Sequence, residues 1–170
     1  ASDVYKRQVI AERFSKIGSK PEMELIYVNE VLENATEYMR RRVSDKVLIT
    51  THLPSDAEGA MVCLSLFEWV IENLCKNAVD AMNGEGRIDV YMTSEKQQIY
   101  IDIKDTGKGI ARKNFKTVFN PGYTTKKRGW GLGLTLAKRI IEDYHAGRIY
   151  VKDSEVGKGT TFRIELTRVV

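Results

Sequence analysis

Arg87–Lys104 reads RIDVYMTSEKQQIYIDIK, and its pattern decides the fold class. Two runs, Arg87–Thr93 and Gln98–Lys104, alternate apolar and polar residues on either side of a short Ser94-Glu95-Lys96-Gln97 turn. Period-two alternation is the mark of strands buried on one face, so the stretch predicts an antiparallel hairpin. Just upstream, Leu66, Val70, Leu74 and Ala78 form an apolar row at i, i+4. This predicts a long helix from Gly59 to Met82, introduced by Ser55 and Asp56 and ended by Asn83-Gly84. Downstream, Ala111–Phe115 is expected to be a short helix and Leu134–Tyr144 a longer one. Arg148–Lys152 and Thr160–Leu166 are expected to be strands joined at Gly157-Lys158-Gly159. Toward the N-terminus, Met23–Val28 reads as extended and Asn29 as the N-cap of a helix over Glu30–Arg42. Lys46–Thr51 reads as a further strand. Arg40, Arg41 and Arg42 suit the last turn of that helix through its dipole, the alternative being a phosphate or partner contact. A hairpin and separated strands with interleaved helices define an α+β class: a mixed, mainly antiparallel sheet with helices on one face and water on the other.

Composition bounds the function. With 170 residues, 42% hydrophobic and 29% charged, the chain has material for one globular core, which excludes disordered and fibrous classes. The formal charge of +4 is spread along the chain, so a pI near 9.0 argues only weakly for a nucleic-acid or membrane partner. An aromatic-basic stripe of the kind that binds nucleic acid is also lacking, and no nucleic-acid partner is expected. Cys63 and Cys75 have neither disulfide nor zinc spacing and are expected in the core of a protein from a reducing compartment. The most apolar stretch, Ala60–Leu74, is interrupted by Ser65, Glu68 and Glu72 and is too short to span a bilayer. Ala1–Gln8, ASDVYKRQ, resembles the in-frame translation of a transposase sequencing adaptor and is set aside. The remainder divides into residues 9–20, a helix tail and linker, and 21–170, the functional domain.

Three clusters break the rules of their surroundings. Asn73, Asn77 and Asp80 share one face of the long helix, although asparagine is a poor interior helix former. Their amide oxygens could hold a hard cation such as magnesium, which completes its shell with waters and phosphates; an exposed polar stripe is the alternative. Asp105-Thr106-Gly107-Lys108-Gly109-Ile110 follows a strand. Such a carboxylate can accept from a ligand amino group while bare backbone admits a flat ring, or the stretch is simply a turn. Tyr123–Leu134, YTTKKRGWGLGL, sets three cations beside glycines that open onto a helix, a supply of phosphate-binding amides. It is neither a P-loop nor a dinucleotide-binding fingerprint.

Taken in order, ENLCKNAVDAM, DTGKGI, VFNPGYTTKKRGWGLGL and GKGTTF resemble the asparagine box, first glycine box, phenylalanine box with lid and second glycine box, and final threonine motif of sensor histidine kinase catalytic domains. The resemblance spans about Met23–Leu166 and implies the Bergerat fold, an α/β sandwich that holds ATP and magnesium under a mobile lid. It implies that Asn73 and Asn77 bind magnesium and phosphate, with Lys76 a phosphate contact. Asp105 would read the adenine amino group with help from Thr160, and Gly107 and Gly109 would shape the adenine floor. Phe119, Tyr123, Thr124, Thr125 and Lys126 would form the front of the lid. Gly129, Gly131, Leu132, Gly133 and Leu134 would form its rear and the start of the phosphate-facing helix. Trp130 stands where many relatives carry a small residue, and packing is expected of it before ligand stacking.

The same fold serves hydrolases, among them type II topoisomerases, mismatch-repair ATPases and a heat-shock chaperone. These carry a water-activating glutamate at the position of Asn73, and Glu72, about 100° around the helix, cannot replace it. A histidine kinase is therefore expected, with a non-catalytic nucleotide-binding module as the other class. The resemblance implies that the phosphoacceptor lies on an upstream dimerisation domain, and His52 and His145 are expected to be structural or exposed. Val9–Gly18 resembles the tail of that domain's second helix. The resemblance further implies a homodimer, a response regulator as partner of the whole kinase, and a cytoplasmic domain, with membrane anchoring of the whole protein left open.

Overall fold

The hairpin of residues 87–104 lies at the centre of a five-stranded sheet in the computed structural model, which describes residues 21–123 and 133–169. The expectations for residues 1–20 and 124–132 lie outside the described residues. In chain order the elements are β1 (Glu24–Tyr27), α1 (Val28–Arg40), β2 (Val47–His52), β3 (Gly59–Val62), α2 (Leu64–Ala81), β4 (Gly86–Glu95), β5 (Gln98–Asp105), α3 (Gly133–Arg139), β6 (Arg148–Glu155) and β7 (Gly159–Thr167). Short 3-10 turns occupy Arg112–Asn114 and Thr117–Phe119, and a wide π turn, Ile140–Tyr144, extends α3. The sheet order is β2-β4-β5-β7-β6, with β2 and β4 parallel and the other pairs antiparallel, so the expected mixed, mainly antiparallel α+β class is what forms.

Alternation along the strands separates the two faces. Ile88, Val90, Ile101, Ile103 and Ile164 point into the core, where the α2 row Leu66, Val70, Leu74 and Ala78 is fully buried above them. The opposite face carries charge. There Asp102 accepts a two-pronged bond from Arg163, at 2.7 and 2.8 Å, and a third from Lys152 at 3.3 Å. These cations hold the Asp102 carboxyl below its ordinary range despite partial burial, which by itself acts in the opposite direction. His52 bonds Asp89 at 2.8 Å and stacks on Tyr91, with ring centroids 4.4 Å apart.

Two local expectations are corrected. The helix expected from Gly59 begins only at Leu64: residues 59–62 are instead β3, paired antiparallel with β1 from Glu24↔Val62 to Tyr27↔Gly59. Pairing wins over helical continuation because β1 is a four-residue strand that would otherwise leave its backbone groups unmatched. Asn29 is not a cap. It sits inside α1, accepts the Glu58 amide proton at 2.9 Å and donates to the carbonyls of Pro54 and Asp56, tying the 54–58 loop to the helix. The arginines at the end of α1 take structural partners: Arg40 donates to the Ile49 carbonyl, Arg41 pairs with Glu37, and Arg42 stacks on Tyr38.

Candidate functional site

Asp105 ends β5 beside the C-terminus of α2 and is almost fully buried. Its Oδ1 accepts the amide protons of Gly107 at 2.8 Å and Thr160 at 3.3 Å, while no hydrogen bond from the described residues reaches Oδ2. Burial pushes this carboxyl above the ordinary carboxylate range, and the two amide bonds offset only part of the rise. A buried carboxylate with one oxygen held and the other unclaimed is poised to accept from a ligand donor.

The glycines around Asp105 make room for protein backbone. A β-carbon on Gly107 would sit 2.7 Å from the Ala81 carbonyl at the end of α2, where Lys108 N–H also bonds that carbonyl at 2.9 Å. Gly109 has φ +76, and a β-carbon there would collide with the Glu155 carbonyl. The bare backbone of both glycines is thus explained by how tightly the 107–110 loop is clasped between α2 and the β6–β7 turn.

Ser154, which no motif marks, closes this corner. Its Oγ accepts from the Ile110 amide at 2.7 Å, and it contacts the Gly159 carbonyl at 2.9 Å and Thr160 Oγ1 at 2.8 Å. Ser154 and Thr160 are cross-strand partners in the β6–β7 register just beyond a bulge at 151–153, a relation no local sequence signal reveals.

Midway along α2, Asn73 faces the start of α3. A β-carbon on Gly133 would lie 2.9 Å from Asn73 Oδ1 and 3.0 Å from Nδ2. Asn73 Nδ2 is also the one buried side-chain nitrogen or oxygen without a hydrogen-bond partner among the described residues. An orphaned N–H donor suits an anion's oxygen better than a cation. Glu72 lines a different groove, with Asn34, Ala35, Tyr38 and Glu68 on the α1 side. Lys76 and Asn77 follow on α2 and are half-buried; Asp80 is exposed. Among the described residues no group of three or more His, Cys, Asp or Glu could hold a metal, so a cation here would depend on amide oxygens and on its own ligands.

Phe119 is buried, packed edge-on against Phe162 at 6.1 Å with the Lys138 ammonium over its ring, and its carbonyl accepts from Thr135. Its ring therefore anchors the loop to the core. Tyr123 is half-buried against the same core, and Leu134 lies in the first turn of α3. Thr124, Thr125, Lys126, Gly129, Trp130, Gly131 and Leu132 lie outside the described residues. The cavity of about 570 Å³ lined by Glu22, Glu24, Cys63 and Glu68 is at the far end of α2 from Asp105 and plays no part in this site.

Both histidines have partners within the fold: His52 bonds Asp89 on the exposed face of the sheet, and His145 is held in the core. His145 is buried, its Nδ1 donates to the Ile140 carbonyl at 2.9 Å, and its Nε2 accepts the Cys63 amide proton at 3.0 Å. A carbonyl only accepts and an amide only donates, so the ring is held neutral in one tautomer, and burial lowers its pKa. Both cysteines are free and buried, with burial, aided by Glu72, pushing the Cys75 thiol up to about 12.

Residues 64–169 match the family described as histidine kinase-, DNA gyrase B-, and HSP90-like ATPase. The chain belongs to this family and is an ATP-binding domain. Sporulation kinase A of Bacillus subtilis (strain 168) is 40% identical over 99 residues, which cover 58% of this chain and 16% of that protein. The catalytic domain of the histidine kinase ThkA superposes with a TM-score of 0.77 at 22% identity, over 86% of this chain and 95% of that one. ThkA in complex with the response regulator TrrA gives a TM-score of 0.79 at 19% identity, over 99% of this chain and 49% of that one. At such identities the two structures establish the shared fold. Among the described residues no helix is long and apolar enough to cross a membrane.

Proposed function

We propose that this chain is the catalytic domain of a sensor histidine kinase and transfers the γ-phosphate of ATP to a histidine on a dimerisation domain outside it. The observation that carries this reading is the orientation of α2: Asn73 faces Gly133, and the adjacent carboxylate, Glu72, lines the groove on the α1 side. The position that would activate water in a hydrolase of this fold therefore holds an amide, which can bind and orient phosphate but cannot take a proton from water. The similarity to named kinases supports the same reaction.

Asp105 Oδ2 accepts from the adenine amino group, with Thr160 beside it. Asn73 lies eight residues before Ala81, about 12 Å along the helix axis, so base and phosphates occupy separate stations on α2. Of the two amides assigned to magnesium and phosphate, Asn73 suits phosphate through its orphaned donor, and Asn77 suits magnesium through its carbonyl oxygen. Magnesium, when bound with the nucleotide, neutralises developing phosphoryl charge. Thr124, Thr125, Lys126, Gly129, Gly131 and Leu132 are assigned to nucleotide closure on the sequence alone. The matched part of the chain spans about a sixth of sporulation kinase A, and the homodimer, phosphoacceptor and response regulator of the whole kinase are proposed with it.

The binding half of this reading is tested by titrating magnesium-ATP into the parent and Asp105→Asn. A lost charge-assisted bond is worth about 1.5–3 kcal/mol, so the variant should bind about 10- to 150-fold more weakly. Equal affinities would refute the role of Asp105.

A further inference from the structure

The hydrogen-bond chain at Ser154 fixes where three protons sit. The Ile110 amide donates to Ser154 Oγ at 2.7 Å, and the Gly159 carbonyl, 2.9 Å away, can only accept. A serine hydroxyl has a single proton, so that proton goes to Gly159. The 2.8 Å contact between Ser154 Oγ and Thr160 Oγ1 must then be filled by the threonine's proton. Among the described residues Thr160 Oγ1 has no other partner and is left with lone pairs alone. Next to it, Asp105 takes the Thr160 and Gly107 amide protons on Oδ1, and its Oδ2 is a second acceptor unclaimed among the described residues. Two adjacent acceptors match a group that presents protons, such as a ring amino group, and oppose a ring oxo group, which would leave oxygen facing oxygen.

We propose that Ser154 is a positioning residue for base selection: by consuming the Thr160 proton it holds Thr160 as an acceptor, so that the Asp105–Thr160 pair takes a 6-amino purine and rejects a 6-oxo purine. The inference rests on the nucleotide reading above and adds to it a residue that touches no ligand. The chain of bonds also explains the position of Ser154 at the junction of three segments, because Ile110, Gly159 and Thr160 are all fixed through one oxygen.

Calorimetric titration of the parent, Ser154→Ala and Ser154→Thr with ATP and with ITP, magnesium present, tests this. The parent should prefer ATP. In Ser154→Ala the Thr160 proton is released and can be given to a 6-oxo group, so the ATP-over-ITP preference should shrink by about three- to tenfold, the range of one neutral hydrogen bond. Ser154→Thr, which keeps a hydroxyl, should restore it. Equal weakening toward both nucleotides, with the preference unchanged, overturns the positioning role and leaves the nucleotide reading standing. A parent that binds neither nucleotide overturns both. If Ser154→Ala does not fold, Thr160→Val removes the acceptor while keeping the bonds of Ser154 to Ile110 and Gly159. It should lose ATP affinity with little change toward ITP, and an unchanged preference would overturn the proposal.

Discussion

The Asn73 amide lies against the backbone of Gly133, so close that a β-carbon there would come within 2.9 Å of Oδ1, and its Nδ2 is buried without a partner among the described residues. Glycine at 133 is what lets the start of α3 approach α2, and the unmatched donor is held ready between them. An unsatisfied buried polar group costs folding about 1–3 kcal/mol, and alanine is the better helix former. Asn73→Ala should therefore raise Tm by about 2–12 °C while weakening ATP binding. Thermal melts with and without nucleotide check this; a variant that is less stable without ATP, yet binds it as before, would show that Asn73 serves the fold alone.

Gly107 separates packing from ligand approach. Its β-carbon would collide with the Ala81 carbonyl carbon and oxygen at 2.7 Å, and both belong to helix backbone that has little room to shift. Gly107→Ala should destabilise the domain by about 1–3 kcal/mol, the range of an overpacked site. Denaturant unfolding measures it. Unaltered stability with weakened ATP binding would mean that the glycine is kept for the ring of the base.

His145 makes the fold acid-sensitive. Its folded-state pKa lies below the ordinary value of 6.5, so its contribution is complete above that value and is lost as pH falls through it toward the folded pKa. A second proton on Nε2 would confront the Cys63 amide proton and break the link between the π turn after α3 and the start of α2. Unfolding free energy should decline from about pH 6.5 downward, and the slope should diminish in His145→Ala, which has no proton to take up. Identical slopes in parent and variant would assign the acid sensitivity to other groups.

The elements that the sequence makes legible are those whose pattern is local. The alternation of Arg87–Lys104 became β4 and β5, and the row Leu66, Val70, Leu74 and Ala78 became the buried face of α2, because period and burial are set by residues within one element. β3 was not legible. Gly-Ala-Met-Val suits helix or strand, and the choice was made by β1, more than thirty residues earlier. The site followed the same division. Asp105 and Asn73 stand out as polar residues where apolar or helix-forming ones are expected, whereas Ser154 acquires its role only from the β6–β7 register that sets it opposite Thr160. The close approach of Gly107 and Gly109 to the backbone of Ala81 and Glu155 was likewise hidden, since those partners lie far along the chain.

Whether the amide at 73 directs this domain to phosphoryl transfer is read by supplying γ-labelled ATP and magnesium to the chain mixed with a separately prepared dimerisation domain that carries a phosphoacceptor histidine. Acid-labile label is expected on that histidine, none on His52 or His145, and little free phosphate. Steady release of phosphate with no label on the added domain, or label on either histidine of this chain, would contradict it.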